Sequence, residues 1–302
     1  MRAPNKKGIP MHSNSPFIRR VAAVHDLSGF GHVSLTTVIP VLSTMGFEVC
    51  PLPTAILSNH TQYPHFSFLD LTDELPKIIA QWRRLAIDFS AIYTGYLGSS
   101  RQIRIIADFI KEFRRAQTLV VVDPVLGDNG RLYNKITDEM VSEMRVLARK
   151  ADVLTPNLTE VFALLGREYR AECTDEMLKD AIAELSEKGP DTVIITGVPV
   201  KNEPGLTAVL AKSRSDGRTW KVTCPYLPAH YPGTGDTFTS VVTGSLLQGD
   251  SLPIALDRAV QFILQGIRAT FGYQHDNREG ILLERVLPNL RMPIQISSYE
   301  LA

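Results

Sequence analysis

The chain has 302 residues, 44% of them hydrophobic and 21% charged, with 32 basic and 32 acidic side chains in balance. A zero formal charge excludes the basic surface of a nucleic-acid binder and the acidic composition of a solvating chain. No run of about 18 apolar residues marks a membrane span. The three cysteines, Cys50, Cys173 and Cys224, are odd in number and not in Cys-x-x-Cys spacing, which argues against a disulfide framework or zinc site and fits a reducing compartment.

Residues 1–16 are polar and basic without an apolar core, as in a disordered leader rather than a signal peptide. Phe17 to Val24 reads as a first strand, His25 to His32 as a glycine-containing loop, and Val33 to Met45 as a helix stopped by Gly46. Phe47 to Leu57 is apolar but broken by Pro51 and Pro53, so it suits only an edge or irregular strand. The polar cluster Ser58-Asn59-His60-Thr61-Gln62-Tyr63 follows, then aromatic residues that suit a flap, then a helix over Leu71–Leu85.

Ala91 to Gly98 predicts a strand with a glycine turn, and Ser99 a cap for a helix over Arg101–Arg115. Leu119 to Val122 is a continuous apolar run, typical of a strand buried on both faces of a parallel sheet. It ends in Asp123, at the carboxyl edge where open α/β sheets bind ligands. A helix over Ile136–Lys150, a strand at Asp152–Leu154, a helix from Glu160 to Gly166 and one capped by Thr174 come next. Thr192 to Ile195 is another buried strand, ending at Thr196-Gly197, and Leu206–Lys212 with Thr219–Cys224 forms a hairpin. The remainder is helical: Thr237–Gln248, Pro253–Phe271 and a last segment Gly280–Leu290. Repeated βα units without a linker predict one three-layer α/β/α domain over residues 17–302, with a mostly parallel sheet and a late antiparallel hairpin.

The candidate chemistry centres on Gly233-Thr234-Gly235-Asp236. A Gly-Thr-Gly turn lets a ligand approach the main chain, and a helix starting there offers free N–H groups to an anion. A carboxylate at that pole can take a proton from a hydroxyl beside held phosphate. The competing reading is a plain turn with an Asp cap. Asp123, Asp128, Asn157 and Glu160 suit an oxygen-ligated divalent metal carrying phosphates, although Glu160 also reads as an ordinary helix-start acid. Walker A is absent. His60 reads equally as a substrate donor and as a structural loop histidine. Cys50 and Cys224 read as small buried hydrophobes.

Together with Thr94-Gly95-Tyr96-Leu97-Gly98, Asp123-Pro124-Val125-Leu126-Gly127-Asp128 and Thr155-Pro156-Asn157-Leu158-Thr159-Glu160, these motifs resemble the ribokinase-like superfamily, and within it the pyridoxal kinases. The resemblance implies an ATP-dependent kinase that phosphorylates the 5′-hydroxymethyl group of B6 vitamers in a cytoplasmic salvage pathway. It implies that Asp236 is the base and that the amides of Gly233, Thr234 and Gly235 hold the transferring phosphoryl group. It assigns Asn157 and Glu160 to the phosphates and Mg2+, with Asp123 near the phosphates and Asp128 and Thr155 near a monovalent cation, K+ or Na+. Thr196, Gly197 and the segment at Leu227 would contact the nucleotide, and Tyr133 would cover it. Thr61, His60 and Tyr96 would meet the pyridine substrate. A homodimer with a complete site in each subunit is expected. The chain departs from the family where many members have Ser-His-Val: here Asp26-Leu27-Ser28 implies a changed vitamer preference, toward an amine-bearing substrate. The alternatives are a hydroxymethylpyrimidine kinase of thiamin synthesis and a non-catalytic B6 or nucleotide sensor.

Overall fold

A computed structural model describes residues 18–201, 203–293 and 299–302. The leader expected over residues 1–16 lies outside them. In chain order the elements are β1 (Arg20–Ser28), α1 (Leu35–Thr44), β2 (Glu48–Leu57), β3 (Phe68–Asp70), α2 (Leu75–Arg84), β4 (Ala91–Thr94), α3 (Ser100–Phe113) and β5 (Leu119–Val122). Then follow β6 (Gly127–Asp128), β7 (Arg131–Leu132), α4 (Asp138–Ala148), β8 (Val153–Leu154), α5 (Leu158–Leu165), α6 (Asp175–Glu187) and β9 (Thr192–Pro199). The chain closes with β10 (Leu206–Ser213), β11 (Thr219–Pro225), α7 (Thr234–Gln248), α8 (Leu252–Phe271), α9 (Leu283–Val286) and β12 (Tyr299–Leu301).

Ten strands form one sheet in the order β3-β2-β1-β4-β5-β8-β9-β10-β11-β12. The pairs from β2 through β9 are parallel, while β3 and the β10–β12 side are antiparallel. Strand alternation sends Ala22, Val24, Ile92, Val120, Val122 and Ile195 to one face, under α2 to α6. Val21, Ala23, Tyr93, Val121 and Ile194 point to the other, under α1, α7, α8 and α9. This is the expected α/β/α layering. Each fully buried Val or Ile contributes roughly 1.5–3 kcal/mol to it.

Several boundaries differ from the sequence reading. The first strand does not stop at Val24: it runs through His25, Asp26, Leu27 and Ser28, pairing with β2 as far as Leu57. These mostly polar residues stay in the sheet because β2 supplies partners as far as Leu57, whereas pairing with β4 ends at Val24. β9 continues past Thr196-Gly197 to Pro199 because β10 pairs with it there. The helix expected over Leu71–Leu85 begins only at Leu75, after Leu71 N–H has bonded to Thr54. Pro51 and Pro53 fall where β2 has only β1 beside it, since β3 covers residues 55–57 alone; the edge reading therefore holds locally. Cys50 and Cys224 are only partly buried, each packed against one of the two cores. Among the described residues no helix is long and apolar enough to cross a membrane.

Candidate active site

The carboxyl ends of β1, β4, β5 and β8 and the amino end of α7 converge on one cleft. Gly233 is the N-cap of α7, with φ 78°, and an added Cβ would lie 1.8 Å from the His32 carbonyl oxygen. Only glycine fits that turn. The helix begins at Thr234, three residues earlier than the sequence pattern suggested, so Thr234, Gly235 and Asp236 form its first turn. Thr237 N–H is the first to find an acceptor, Gly233 O at 2.9 Å. Among the described residues the amides of Thr234, Gly235 and Asp236 have none, which leaves a positive pole at the helix start.

Asp236 is held from two sides. Its Oδ2 accepts from Ser34 N–H at 2.8 Å, and its Oδ1 lies 3.7 Å from His25 Nδ1. Burial pushes its carboxyl up to about 7, with the Asp26 charge adding to the rise and the Ser34 bond opposing it. Asp26 is itself buried; it accepts from Ser34 Oγ at 2.6 Å and Ser28 Oγ at 3.0 Å, and desolvation raises its pKa against those bonds. Tyr96 is half-buried nearby, its phenol raised by burial and by Asp26.

His60 is buried rather than free in a flap. Its Nε2 meets Arg278 O at 2.5 Å, and its ring packs against Tyr63 with centroids 4.9 Å apart. Arg278 lies over the Tyr63 ring at 4.8 Å. His32 binds the same segment, with Nδ1 at 3.0 Å from Glu279 O and Nε2 at 2.8 Å from Glu284. The chain after α8 thus clamps the glycine loop and the Ser58–Tyr63 loop together.

On the other side of the cleft, Asn157 and Glu160 form a capping box on α5. Asn157 Oδ1 accepts from Glu160 N–H at 3.1 Å, and Glu160 Oε2 from Asn157 N–H at 2.8 Å. Glu160 Oε1 accepts from Leu126 N–H at 3.1 Å, and Asn157 Nδ2 donates to Gly127 O at 2.8 Å. Burial pushes Glu160 up to about 8 despite these bonds. Asp123 is raised by burial and then by the charges of Glu160 and Asp236. Thr239 Oγ1 lies 3.4 Å from Asp123 and 3.1 Å from Thr155 Oγ1. Thr196 bridges to Asn157 as a parallel pair.

Asp128 sits at the end of β6, in a hairpin turned by Asn129 and Gly130 with φ 51° and 77°. Asn-Gly is a strong hairpin signal that the sequence reading passed over. Tyr133 follows the hairpin, its N–H on Leu126 O at 3.0 Å, and burial and the carboxylates of Glu160, Asp128, Asp123 and Asp236 raise its phenol.

Among the expected site residues, Asp26, Tyr96, His60 and Asp236 gather on one side and Asp123, Asp128, Thr155, Asn157, Glu160 and Thr196 on the other. Thr61 and Gly197 are exposed, and Leu227 packs against the second core; no described contact draws these three toward the acids. His25, Ser34 and Thr239 belong to the cleft and were not anticipated. Their only sequence signal was polarity inside otherwise apolar elements.

Among the described residues no three His, Cys, Asp or Glu side chains stand in metal-binding geometry. This donor set fits Mg2+, which keeps several waters and is bound mainly through phosphates and one or two carboxylates. With both oxygens on main-chain N–H groups, Glu160 suits contact through water.

The family model for phosphomethylpyrimidine kinase matches residues 39–280. A pyridoxine/pyridoxal/pyridoxamine kinase of Bordetella avium is 32% identical over 272 residues, covering 85% of this chain and 88% of its own. A Bacteroides thetaiotaomicron protein provisionally assigned to the phosphomethylpyrimidine kinases, crystallised with pyridoxal, is 71% identical. Its structure superposes with a TM-score of 0.92 over 94% of this chain and 100% of its own. Leishmania donovani pyridoxal kinase, solved with ADP and pyridoxamine, is 25% identical with a TM-score of 0.84 over 94% and 99% of the two chains. Matched over most of its length in sequence and in fold, the chain belongs to the phosphomethylpyrimidine kinase family, as a pyridoxal kinase of the ribokinase-like superfamily.

Proposed function

We propose that this protein transfers the γ-phosphoryl group of ATP to the 5′-hydroxymethyl group of B6 vitamers, giving the 5′-phosphate and ADP. One observation carries the reading: a desolvated carboxylate, Asp236, lies in the first turn of a helix whose first three amides have no acceptor among the described residues. Asp236 takes the proton of the attacking hydroxyl. The Gly233–Gly235 main chain receives the negative charge developing on the phosphoryl oxygens. Phosphoryl transfer asks for this positioning and charge neutralisation above all.

On the acceptor side, Asp26, His60, Tyr96 and Thr61 bind the pyridine ring. Asp123, Asn157, Thr196, Gly197, Leu227 and Thr234 hold the nucleotide, and Tyr133 covers it. Glu160 holds Mg2+ through water, and Asp128 with Thr155 holds a monovalent cation; the divalent ion supplies neutralisation of phosphate charge when bound. Residues 17–302 act as one kinase domain, supported by the continuous sheet. The protein works as a homodimer in the cytoplasm, where free cysteines such as Cys50, Cys173 and Cys224 stay reduced.

Hydroxymethylpyrimidine phosphorylation is the second reading, favoured by the name of the matching family. ADP release with pyridoxal, pyridoxine, pyridoxamine and hydroxymethylpyrimidine distinguishes the two. Turnover of the vitamers, abolished in Asp236→Asn, is expected. Binding without turnover of any of the four overturns the kinase reading in favour of a sensor.

A further inference from the structure

His25 is fully buried, and neither ring nitrogen has a hydrogen-bond partner among the described residues. Buried imidazoles nearly always find one. The ring is tightly confined: Tyr93 meets it edge-on with centroids 4.4 Å apart, and a Cβ on Gly95 would lie 2.2 Å from its Nδ1. The side chain is therefore locked, with Nδ1 aimed at Asp236 Oδ1 across 3.7 Å. That gap is about 0.7 Å longer than an ordinary hydrogen bond. Catalytic hydrogen bonds are often long before substrate binds and tighten afterwards.

The surroundings decide what the ring can be. On β4 the neighbouring titratable group is Tyr93; on β2 the register partner is Pro53; on α7 it is Asp236; and along β1 it is Asp26. Burial drives the imidazole down to about 3, so it is neutral and the contact with Asp236 is no ion pair. A neutral imidazole keeps one N–H. Among the described residues Asp236 is the acid that faces Nδ1, and when it is ionised it favours the tautomer with the hydrogen on that nitrogen.

We infer that His25 is a positioning residue for Asp236: its Nδ1–H closes on Oδ1 when substrate fills the cleft and, with Ser34 N–H on Oδ2, fixes the carboxylate in plane toward the hydroxyl. The imidazole stays neutral throughout and passes no proton. Its donor also favours the ionised carboxylate, opposing the desolvation that lifts Asp236. This inference rests on Asp236 being the base.

The test compares His25→Asn, which keeps a donor near the Nδ1 position, with His25→Leu, which removes it. For His25→Leu we expect kcat to fall at least tenfold with KM changed less than threefold. The acid limb of kcat/KM should also move to higher pH by about one unit, a tenfold change in protonation equilibrium. His25→Asn should recover most of both. Equal impairment of the two variants, or an unmoved acid limb in His25→Leu, overturns the inference. Should His25→Leu fail to fold, 15N shifts of the wild-type ring, identified by their loss in His25→Asn, decide the matter. An Nδ1–H tautomer whose shifts follow the ionisation of Asp236 and stop doing so in Asp236→Asn supports it; an Nε2–H tautomer sinks it. If Asp236→Asn itself retains full activity, the base assignment falls, and the two failures are told apart.

Discussion

Ser34 reaches Asp236 with its main chain while its side chain serves another acid: its N–H lies 2.8 Å from Asp236 Oδ2 and its hydroxyl 2.6 Å from Asp26. To do both it adopts φ 51° and ψ −131°, a conformation that L-residues rarely take. Strain of this kind costs about 1–3 kcal/mol and persists where a site needs it. Ser34→Ala keeps the N–H bond but leaves buried Asp26 with the Ser28 hydroxyl as its remaining side-chain donor. We expect a loss of about 1–2 kcal/mol in urea unfolding, with the pKa of Asp26 driven higher still.

To serve as the proposed base Asp236 must be ionised, and its carboxyl stands at about 7 in the folded protein against the ordinary 3.8. The kcat/KM profile should therefore rise with pH through about 7. Replacing this group by Asn should lower kcat about 10²–10⁴-fold with ATP binding little changed. A flat profile between pH 6 and 8 would remove it from the role of base.

The same shift carries a stability consequence of opposite sign. A carboxyl raised on folding binds a proton more tightly in the native state, so its ionisation above about pH 7 weakens the fold, and the penalty fades as pH falls toward 4. Asp236→Asn should accordingly gain roughly 1–3 kcal/mol at pH 8.5 and little at pH 4.5, measured by urea midpoints at the two values.

Gly233→Ala meets both a positive φ and the His32 carbonyl at 1.8 Å. The turn must open, misdirecting the amides behind it. A loss of at least about 1–3 kcal/mol is expected, together with loss of turnover. A crystal structure with the α7 start unmoved would contradict this.

Asp26→Asn addresses vitamer choice. A buried carboxylate beside Asp236 and Tyr96 favours a protonated amine or ring nitrogen, so the amide should lower pyridoxamine turnover relative to pyridoxal severalfold. An unchanged ratio would dismiss the specificity role.

Where a local rule decides the structure, the sequence was a good guide. Ser99 and Thr174 cap helices as their side chains demand, and Gly166 ends α5 in the left-handed conformation its residue type allows. The apolar run at Val120–Val122 is buried on both faces. Illegible were features set by distant partners. His25 to Ser28 look like a loop because they are polar, yet β2 and the cleft keep them in line. The backbone of Ser34 depends on acids 8 positions before it and 202 after it, which no window along the chain contains. Asp236 was identified as a candidate by its glycines, whereas its partner His25 carried no motif.

The grip of His32 on Glu279 and Glu284 has one further implication. The glycine loop is pinned by residues that lie 247 and 252 positions after His32, so the pins are translated long after the loop itself. A ribosome-bound fragment ending before Asn277 would possess every acid of the cleft and still lack the clasp that shapes it. Activity should emerge only once Glu279 and Glu284 have been made, after the central strands have paired.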